Sequence, residues 1–180
     1  MNDNKNLLIL GAGGHGQVVK ETAEAMGVFD RIEFLDDNPD CDISLGKCAD
    51  FENYISEFRY MFPAFGNNEL RMKWVERLEE AVVIVPVIVH PRAFISPSSS
   101  VYPGSIVEAC AIVNTNSYIE KGCIVSVGAI VDHDSFIGYG CHVSCGAIVK
   151  AGCIVRAMTM VLSGMVVTRD DNPTASELIG

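Results

Sequence analysis

Residues 119–149 read IEKGCIVSVGAIVDHDSFIGYGCHVSCGAIV, and this stretch decides the fold of the C-terminal half of the chain. An Ile or Val recurs at every sixth position, the residue four places further on is usually small, and Gly often stands between them. The register continues in both directions without an inserted loop. The repeated positions are Ile95, Val101, Val107, Val113, Ile119, Val125, Val131, Ile137, Val143, Val149, Val155, Val161 and Val167.

A six-residue period is typical of a parallel β-helix in which three short strands form one triangular coil. The β-branched residue points inward, the small residue fits the corner, and Gly relaxes the turn. The repeat therefore predicts a left-handed parallel β-helix of a little over four coils. Cys123 and Cys141 are 18 residues apart, or one coil (141 − 123). We therefore expect the seven Cys residues to be buried packing residues in a reducing compartment.

The residues before the repeat alternate between strand and helix patterns. Strands are predicted over Lys5–Leu10, Arg31–Leu35, Tyr60–Phe65 and Val82–Val85, and helices over Gly14–Met26, Ala49–Phe58 and Asn67–Glu80. This order predicts an α/β domain of the half-Rossmann type, in which helices cover a small parallel sheet. We place the boundary between the two predicted domains at residues 86 and 87.

The loop after the first strand reads GAGGHG at residues 11–16. Gly11, Gly13 and Gly16 match the dinucleotide fingerprint, and Asp36 follows Gly16 by 20 residues (36 − 16), about where a ribose-binding acid belongs. Backbone N–H groups at such a helix start form an anion site. An NAD-dependent oxidoreductase would need a second mononucleotide unit, for which the chain has no room before the repeat.

Composition excludes several classes of partner. The net charge of −10 argues against nucleic acid and anionic membranes as general partners. No apolar run is long enough to span a bilayer, and the N-terminus lacks the pattern of a signal peptide. We therefore expect a cytoplasmic protein with no membrane span.

Four stretches carry a resemblance to a known family: GAGGHGQVV (11–19), FLDDN (34–38), AFGNNELRMKW (64–74) and VDHDSFIGYGCHVSCGAIV (131–149). Together with the linker VIVHPRAFISPSS (87–99), they make nearly the whole chain resemble the sialic-acid and nucleotide-sugar acetyltransferases of the NeuD and PglD type. The resemblance implies a homotrimer that transfers acetyl from acetyl-CoA to a sugar, with no metal. The best-matched subgroup N-acetylates the 4-amine of a UDP-linked amino sugar. The alternative is O-acetylation of sialic acid or another surface-polysaccharide precursor.

The resemblance also implies a role for particular residues. His133 would be the general base, with Asp134 beside it where the closest family pattern has Glu. Contacts to acetyl-CoA would come from His142, Ala157 and Ser163 in the domain 87–180, which would carry the acetyltransferase activity. The domain 1–86 would bind the nucleotide-sugar substrate through Gly13, Gly14, His15, Asp36, Asp37 and Gly66.

The residues themselves also favour His133 as a base. Attack of an amine on a thioester requires a group that removes the amine proton, and a carboxylate beside an imidazole raises its basicity. Direct transfer needs no covalent enzyme intermediate, so we expect sequential kinetics.

Two other interpretations stay open. A γ-type carbonic anhydrase would need two histidines five residues apart, whereas His133 and His142 are nine apart (142 − 133). A non-catalytic scaffold would not need the intact His133-Asp134 pair.

Overall fold

The structure is a computed structural model that describes residues 4–169. The chain divides into two compact units, with the boundary between Ile88 and Val89. The functions predicted for the two halves remain predictions.

The first unit contains a three-stranded parallel sheet in the order β2-β1-β3. Its elements are β1 (Asn6–Leu10), α1 (Gly14–Met26), β2 (Arg31–Leu35), a 3-10 helix (Cys48–Tyr54), β3 (Tyr60–Pro63) and α2 (Asn68–Glu80). The central strand β1 is apolar and buried from Leu7 to Leu10, as expected for a parallel strand covered on both faces. Parallel strands end at the same edge, so the loops after β1, β2 and β3 lie together there.

Two predicted elements of this unit were wrong in type. The helix expected over Ala49–Phe58 is the shorter 3-10 helix Cys48–Tyr54. The fourth strand expected over Val82–Val85 is a single bridge between Ile84 and Tyr60. Val82 has a left-handed backbone (φ 59°), which is unfavourable for a β-branched residue and breaks the extended geometry of a strand.

The second unit is a parallel β-solenoid made of two-residue strands. These are β4 (Ile88–Val89), β5 (Phe94–Ile95), β6 (Ser100–Val101), β7 (Ile106–Val107), β8 (Ile112–Val113), β9 (Tyr118–Ile119), β10 (Ile124–Val125), β11 (Ile130–Val131), β12 (Phe136–Ile137), β13 (His142–Val143), β14 (Ile148–Val149), β15 (Ile154–Val155), β16 (Met160–Val161) and β17 (Val166–Val167). Each strand pairs with the strand one coil away, for example Val125 with Val143.

The strands form three faces of a triangular prism. Face one contains β4, β7, β10, β13 and β16, face two contains β5, β8, β11, β14 and β17, and face three contains β6, β9, β12 and β15. The inward Ile and Val residues from Val107 to Val167 form one buried core together with the small corner residues. Backbone hydrogen bonds between coils satisfy the polar groups of the narrow strands, such as the Asp132 N–H to the Val149 carbonyl (2.9 Å).

The turns have a regular backbone geometry. From residue 104 to residue 164, the residue three places after each inward Ile or Val has a positive φ. Gly occupies most of these positions, and the others are Cys110, Asn116, Asp134 and Met158. The six-residue repeat in the sequence is therefore a repeat of strand, corner and left-handed turn residue.

The cysteines only partly follow the sequence prediction. All seven are free thiols, and Cys48, Cys123, Cys141 and Cys153 are buried as expected. Cys41 is half-buried, and Cys110 and Cys145 are exposed. The two exposed thiols lie in solenoid turns, where the side chain leaves the core.

Candidate active site

His133 lies in the turn between β11 and β12, at the corner between face two and face three. Its side chain is about half exposed (51%), and its Nδ1 atom lies 2.7 Å from Oδ2 of Asp134. A carboxylate at this distance fixes the imidazole with its proton on Nδ1. The Nε2 atom is then the one available to accept a proton from a substrate.

The backbone of Asp134 makes this contact possible. Asp134 occupies the left-handed turn position (φ 57°) that Gly fills in most coils. Asp and Asn adopt this conformation more readily than other side-chain-bearing residues. The turn therefore directs a carboxylate back onto the ring of the preceding residue, which a Gly at this position would not supply.

Two asparagines one coil earlier hold the carboxylates on either side of His133. Asn116 Nδ2 donates to Asp134 Oδ1 (3.2 Å), and Asn114 Nδ2 donates to Asp132 Oδ1 (3.0 Å). The same Asp132 oxygen accepts the His133 backbone N–H (2.8 Å). Neither asparagine was predicted as a site residue, although their 18-residue spacing from the aspartates places them directly below in the coil stack.

The hydrogen bonds at this corner shift the proton affinities of its groups. The hydrogen bond that His133 donates to the Asp134 carboxylate raises the pKa of His133 above its ordinary value, and nearby charges on Asp132 and Asp134 add to the effect. The hydrogen bond from His133 lowers the pKa of Asp134, and the His133 N–H lowers the pKa of Asp132. The corner therefore presents two ionised carboxylates and an imidazole that is a stronger base than free histidine.

His142 begins β13 on face one, where its register neighbours are Ile124 below and Met160 above. The hydroxyl of the buried Ser126 lies 3.0 Å from His142 Nε2. This contact restricts the rotation of the ring. Ser126 is a third residue that was not predicted from the sequence, because its proximity to His142 follows only from the coil geometry.

The other two predicted acetyl-CoA-binding residues lie at the two corners of face one, which carries His142. Ala157 lies in the turn before β16, at the corner between face three and face one, and its backbone packs against Gly138. Ser163 lies in the turn after β16 at the opposite corner of the same face, and it is exposed. The structure thus places these two residues around the face that carries His142. In a triangular prism, the corner that carries His133 is opposite that face.

The first unit has a cavity of about 380 Å³ at the carboxyl edge of its sheet. Its lining residues are Gly11, Gly13, Gly14, His15, Asp36, Ala64, Phe65, Gly66, Asn67 and Leu70. Five of the six predicted substrate-binding residues are therefore brought together here. Helix α1 begins at this cavity, and its N-cap residue is Gly13, which has no side chain that could accept a hydrogen bond from the first N–H groups. The first N–H groups of such a helix attract anions.

The two predicted aspartates have different positions. Asp36 lines the cavity and holds the glycine loop, because its Oδ2 accepts the Ala12 N–H (2.6 Å). Asp37 is not among the lining residues, and its Oδ1 accepts the N–H of Cys48 (2.9 Å) at the start of the 3-10 helix. The structure therefore gives Asp37 a capping contact outside the cavity.

The glycine fingerprint also has a packing function. A Cβ atom on Gly16 would overlap the carbonyl oxygen of Gly11, so the start of α1 can approach the loop only with Gly at this position. The match to the dinucleotide motif thus reflects a tight strand-to-helix turn around an anion site, which does not require NAD.

Comparisons with known proteins concern the family and the fold of the chain. Residues 6–78 match the family model described as the PglD N-terminal domain. The acetyltransferase domain of PglB from Neisseria gonorrhoeae FA1090 is 31% identical, with a TM-score of 0.82 and coverage of 92% of both chains. The chain belongs to the NeuD/PglD-type acetyltransferase family. This family membership confirms the predicted fold class, a half-Rossmann domain followed by a left-handed parallel β-helix.

Other members of the NeuD/PglD-type family are similar over different lengths. PerB from Caulobacter crescentus, solved with CoA and GDP-perosamine, is 28% identical, with a TM-score of 0.80 and coverage of 91% of this chain and 88% of that chain. The UDP-N-acetylbacillosamine N-acetyltransferase of Bacillus subtilis is 29% identical over 121 residues. That match covers 58% of this chain and spans about half the length (52%) of the relative.

Two further structural facts concern the predictions about partners and metals. Over residues 4–169, no helix is long and apolar enough to cross a bilayer. In the same part of the chain, no group of three His, Cys, Asp or Glu side chains is arranged to hold a metal ion.

Proposed function

We propose that this protein transfers the acetyl group of acetyl-CoA to the amino group of a nucleotide-linked amino sugar. The observation that carries the proposal is the contact of 2.7 Å between His133 Nδ1 and Asp134 Oδ2 at an exposed solenoid corner. The relatives support it: PglB was solved with acetyl coenzyme A, and PerB with CoA and GDP-perosamine. A UDP-linked 4-amino sugar is the leading substrate.

The proposed chemistry is direct aminolysis of a thioester. The sugar amine attacks the acetyl carbonyl, and Nε2 of His133 accepts the proton that the amine loses. The carboxylate of Asp134 stabilises the imidazolium that forms. Collapse of the tetrahedral intermediate breaks the carbon–sulfur bond, and the proton passes from His133 to the sulfur of the leaving CoA. The products are the acetamido sugar and CoA, and His133 returns to its neutral form.

The proposed sugar-nucleotide site is the cavity of the first unit. The N–H groups at the start of α1 would bind the phosphates, and the carboxylate of Asp36 would accept hydrogen bonds from the base or ribose. His15 lines the same cavity and would hydrogen-bond the sugar. We keep Gly13, Gly14 and Gly66 in this proposed site, and we do not extend it to Asp37.

The proposed assembly is a homotrimer with an active site between subunits. His133 lies at the corner opposite face one, which carries His142 and has Ala157 and Ser163 at its two corners, so the proposal takes the two sets from two different chains. A symmetric ring allows the His133 corner of one subunit to meet face one of its neighbour. This arrangement accounts for both sets of residues in one reaction.

A thiol-release assay tests the proposed function. CoA formation from acetyl-CoA would be followed with UDP-4-amino sugars, GDP-4-amino sugars, CMP-sialic acid and free sialic acid. The proposal expects acetyl-CoA-dependent turnover with a nucleotide-linked amino sugar and an acetamido product by mass spectrometry. Turnover with sialic acid alone would favour the O-acetyltransferase alternative. Lack of turnover with every amino sugar would contradict the proposal.

A further inference from the structure

Arg71 is a fully buried cation next to the cavity of the first unit. Its side chain lies on the first turns of α2 and has no solvent exposure. Transfer of a guanidinium from water into a protein interior is costly unless hydrogen bonds hold it in place. A buried arginine at this position therefore indicates that the surrounding loop depends on it.

The guanidinium binds the segment that joins β3 to α2. Nη1 donates to the carbonyl of Phe65 (2.8 Å) and, over a longer distance of 3.4 Å, to the carbonyl of Gly66. Nη2 donates to the side-chain oxygen of Asn68 (2.8 Å). Phe65 and Gly66 line the cavity, whereas Arg71 is not among the lining residues. The cation thus supports the cavity wall from behind.

This contact fixes the direction of a backbone donor. The carbonyl and the N–H of one trans peptide unit point in opposite directions. Because the Phe65 carbonyl points at the buried guanidinium, the N–H of Gly66 points away from it. Gly66 is exposed and lines the cavity, and no described backbone carbonyl accepts its N–H. The loop therefore offers a free donor on the ligand side.

Like the free N–H of Gly66, the positive charge of Arg71 favours an anionic ligand such as a phosphate group. Neither Lys nor Arg is among the residues that line the cavity, whose lining includes the acidic Asp36. A phosphate in this cavity would rely on backbone N–H groups of two loops and on a positive charge behind the wall.

We propose that Arg71 is a positioning residue for the phosphate groups of the nucleotide-linked substrate, acting through the loop at Phe65 and Gly66. The proposal rests on the proposed function and deepens it. Arg71 touches the loop and not the substrate, so its effect is on affinity for the nucleotide part. Affinity for CoA, which the proposed function assigns to the solenoid, does not depend on it.

The test is isothermal titration of the full chain with UDP, GDP and CoA. The variant Arg71→Lys keeps the positive charge but loses the planar fork whose two Nη atoms hold the loop carbonyls and the Asn68 side chain together. We expect its affinity for the preferred nucleoside diphosphate to fall at least about tenfold, with the Kd for CoA unchanged. The matched control Arg77→Lys makes the same change on α2 at a residue whose guanidinium lies over the rings of Phe51 and Trp74, and it should bind like the wild type.

The possible outcomes separate the role of Arg71 from the proposed function. Wild-type affinity for the nucleotide in Arg71→Lys would overturn the role of Arg71 and leave the proposed function intact. Equal losses of affinity for the nucleotide and for CoA would show a general loss of structure and would also overturn it. A wild-type protein that binds neither UDP nor GDP would instead contradict the proposed function. Arg71→Lys rather than a neutral variant is used because a side chain without a donor would leave buried acceptors unpaired, which can prevent folding.

Discussion

His133 and Asp134 are neighbours in sequence, and their side chains still meet at 2.7 Å because Asp134 has a left-handed backbone. In an extended segment, successive side chains point to opposite sides, and this contact would not form. The turn that closes each coil of the solenoid therefore also builds the pair of the proposed base and its orienting carboxylate. The first two predictions concern this pair and the residue that supports it.

Replacement of Asp134 by Asn changes the pH dependence of the reaction. The carboxylate raises the pKa of His133, and the base acts in its neutral form, so wild-type kcat falls as the pH drops through that raised pKa. In Asp134→Asn the pKa of His133 returns towards its ordinary value, so the acidic limb of the profile moves to lower pH and the plateau kcat decreases. An acidic limb of the kcat–pH profile at the same pH as in the wild type would contradict the role of Asp134. Asn tolerates the left-handed backbone, which keeps the turn intact.

Replacement of Asn116 by Gly removes a donor to the Asp134 carboxylate without disturbing the turn. Asn116 has a φ of 56°, which Gly adopts without strain. We expect kcat to fall by about three- to tenfold, since one hydrogen bond to a charged group is lost. The KM for acetyl-CoA and the KM for the amino sugar should change little. Cys110→Gly is the control, because it makes the same change at a left-handed turn position of another corner. If both variants behave alike, Asn116 has no special role at the site.

Replacement of Gly138 by Ala tests the packing of the C-terminal coils of the solenoid. A Cβ atom there would lie 2.5 Å from the Ala157 backbone nitrogen and 2.8 Å from its Cα. The backbone of the next turn must move, so Gly138→Ala should lower the free energy of unfolding by about 1–3 kcal/mol in denaturant titrations. Gly66→Ala is the stability control, since its Cβ would meet nothing within 4 Å. An unfolding midpoint of Gly138→Ala equal to that of the wild type would show that the late coils pack differently.

Mixing of two inactive variants tests the shared active site. His133→Ala and His142→Ala damage opposite sides of the same solenoid. The two variants would be unfolded and refolded together in equal amounts. In the randomly mixed cyclic trimers, about one interface in four has an intact His133 on one side and an intact His142 on the other. We therefore expect the mixture to recover about a quarter of the wild-type activity, given that each interface works independently. No recovery above the single variants, in a mixture shown to form hetero-oligomers, would place both histidines in one subunit's site.

The sequence predicted the regular part of the molecule better than its irregular part. Each repeated Ile or Val became an inward strand residue because a six-residue period has only one such solution in a stacked coil. The strand predicted over Val82–Val85 failed because an apolar run does not reveal a left-handed residue such as Val82. Periodicity also gave no indication of the 3-10 geometry at Cys48–Tyr54.

The candidate site was predictable where it depends on adjacent residues. His133 and Asp134 stand side by side in the sequence, so their pairing could be expected. The contacts of Asn116 with Asp134 and of Ser126 with His142 join residues that are 18 and 16 positions apart. These two contacts can be predicted only when the length of a coil and the position of each residue within its coil are known. The buried position of Arg71 is a further example, since an arginine in a charged helix reads as a surface residue.

The most direct test of the central claim is the turnover of His133→Ala in the thiol-release assay with acetyl-CoA and the preferred amino sugar. The account predicts a kcat lower than that of the wild type by about 10² to 10⁴-fold, with the Kd for CoA and for the nucleotide unchanged. His90→Ala, a change at a histidine of another solenoid turn, should keep wild-type turnover. A His133→Ala variant that turns over at a rate near that of the wild type would contradict the assignment of His133 as the base.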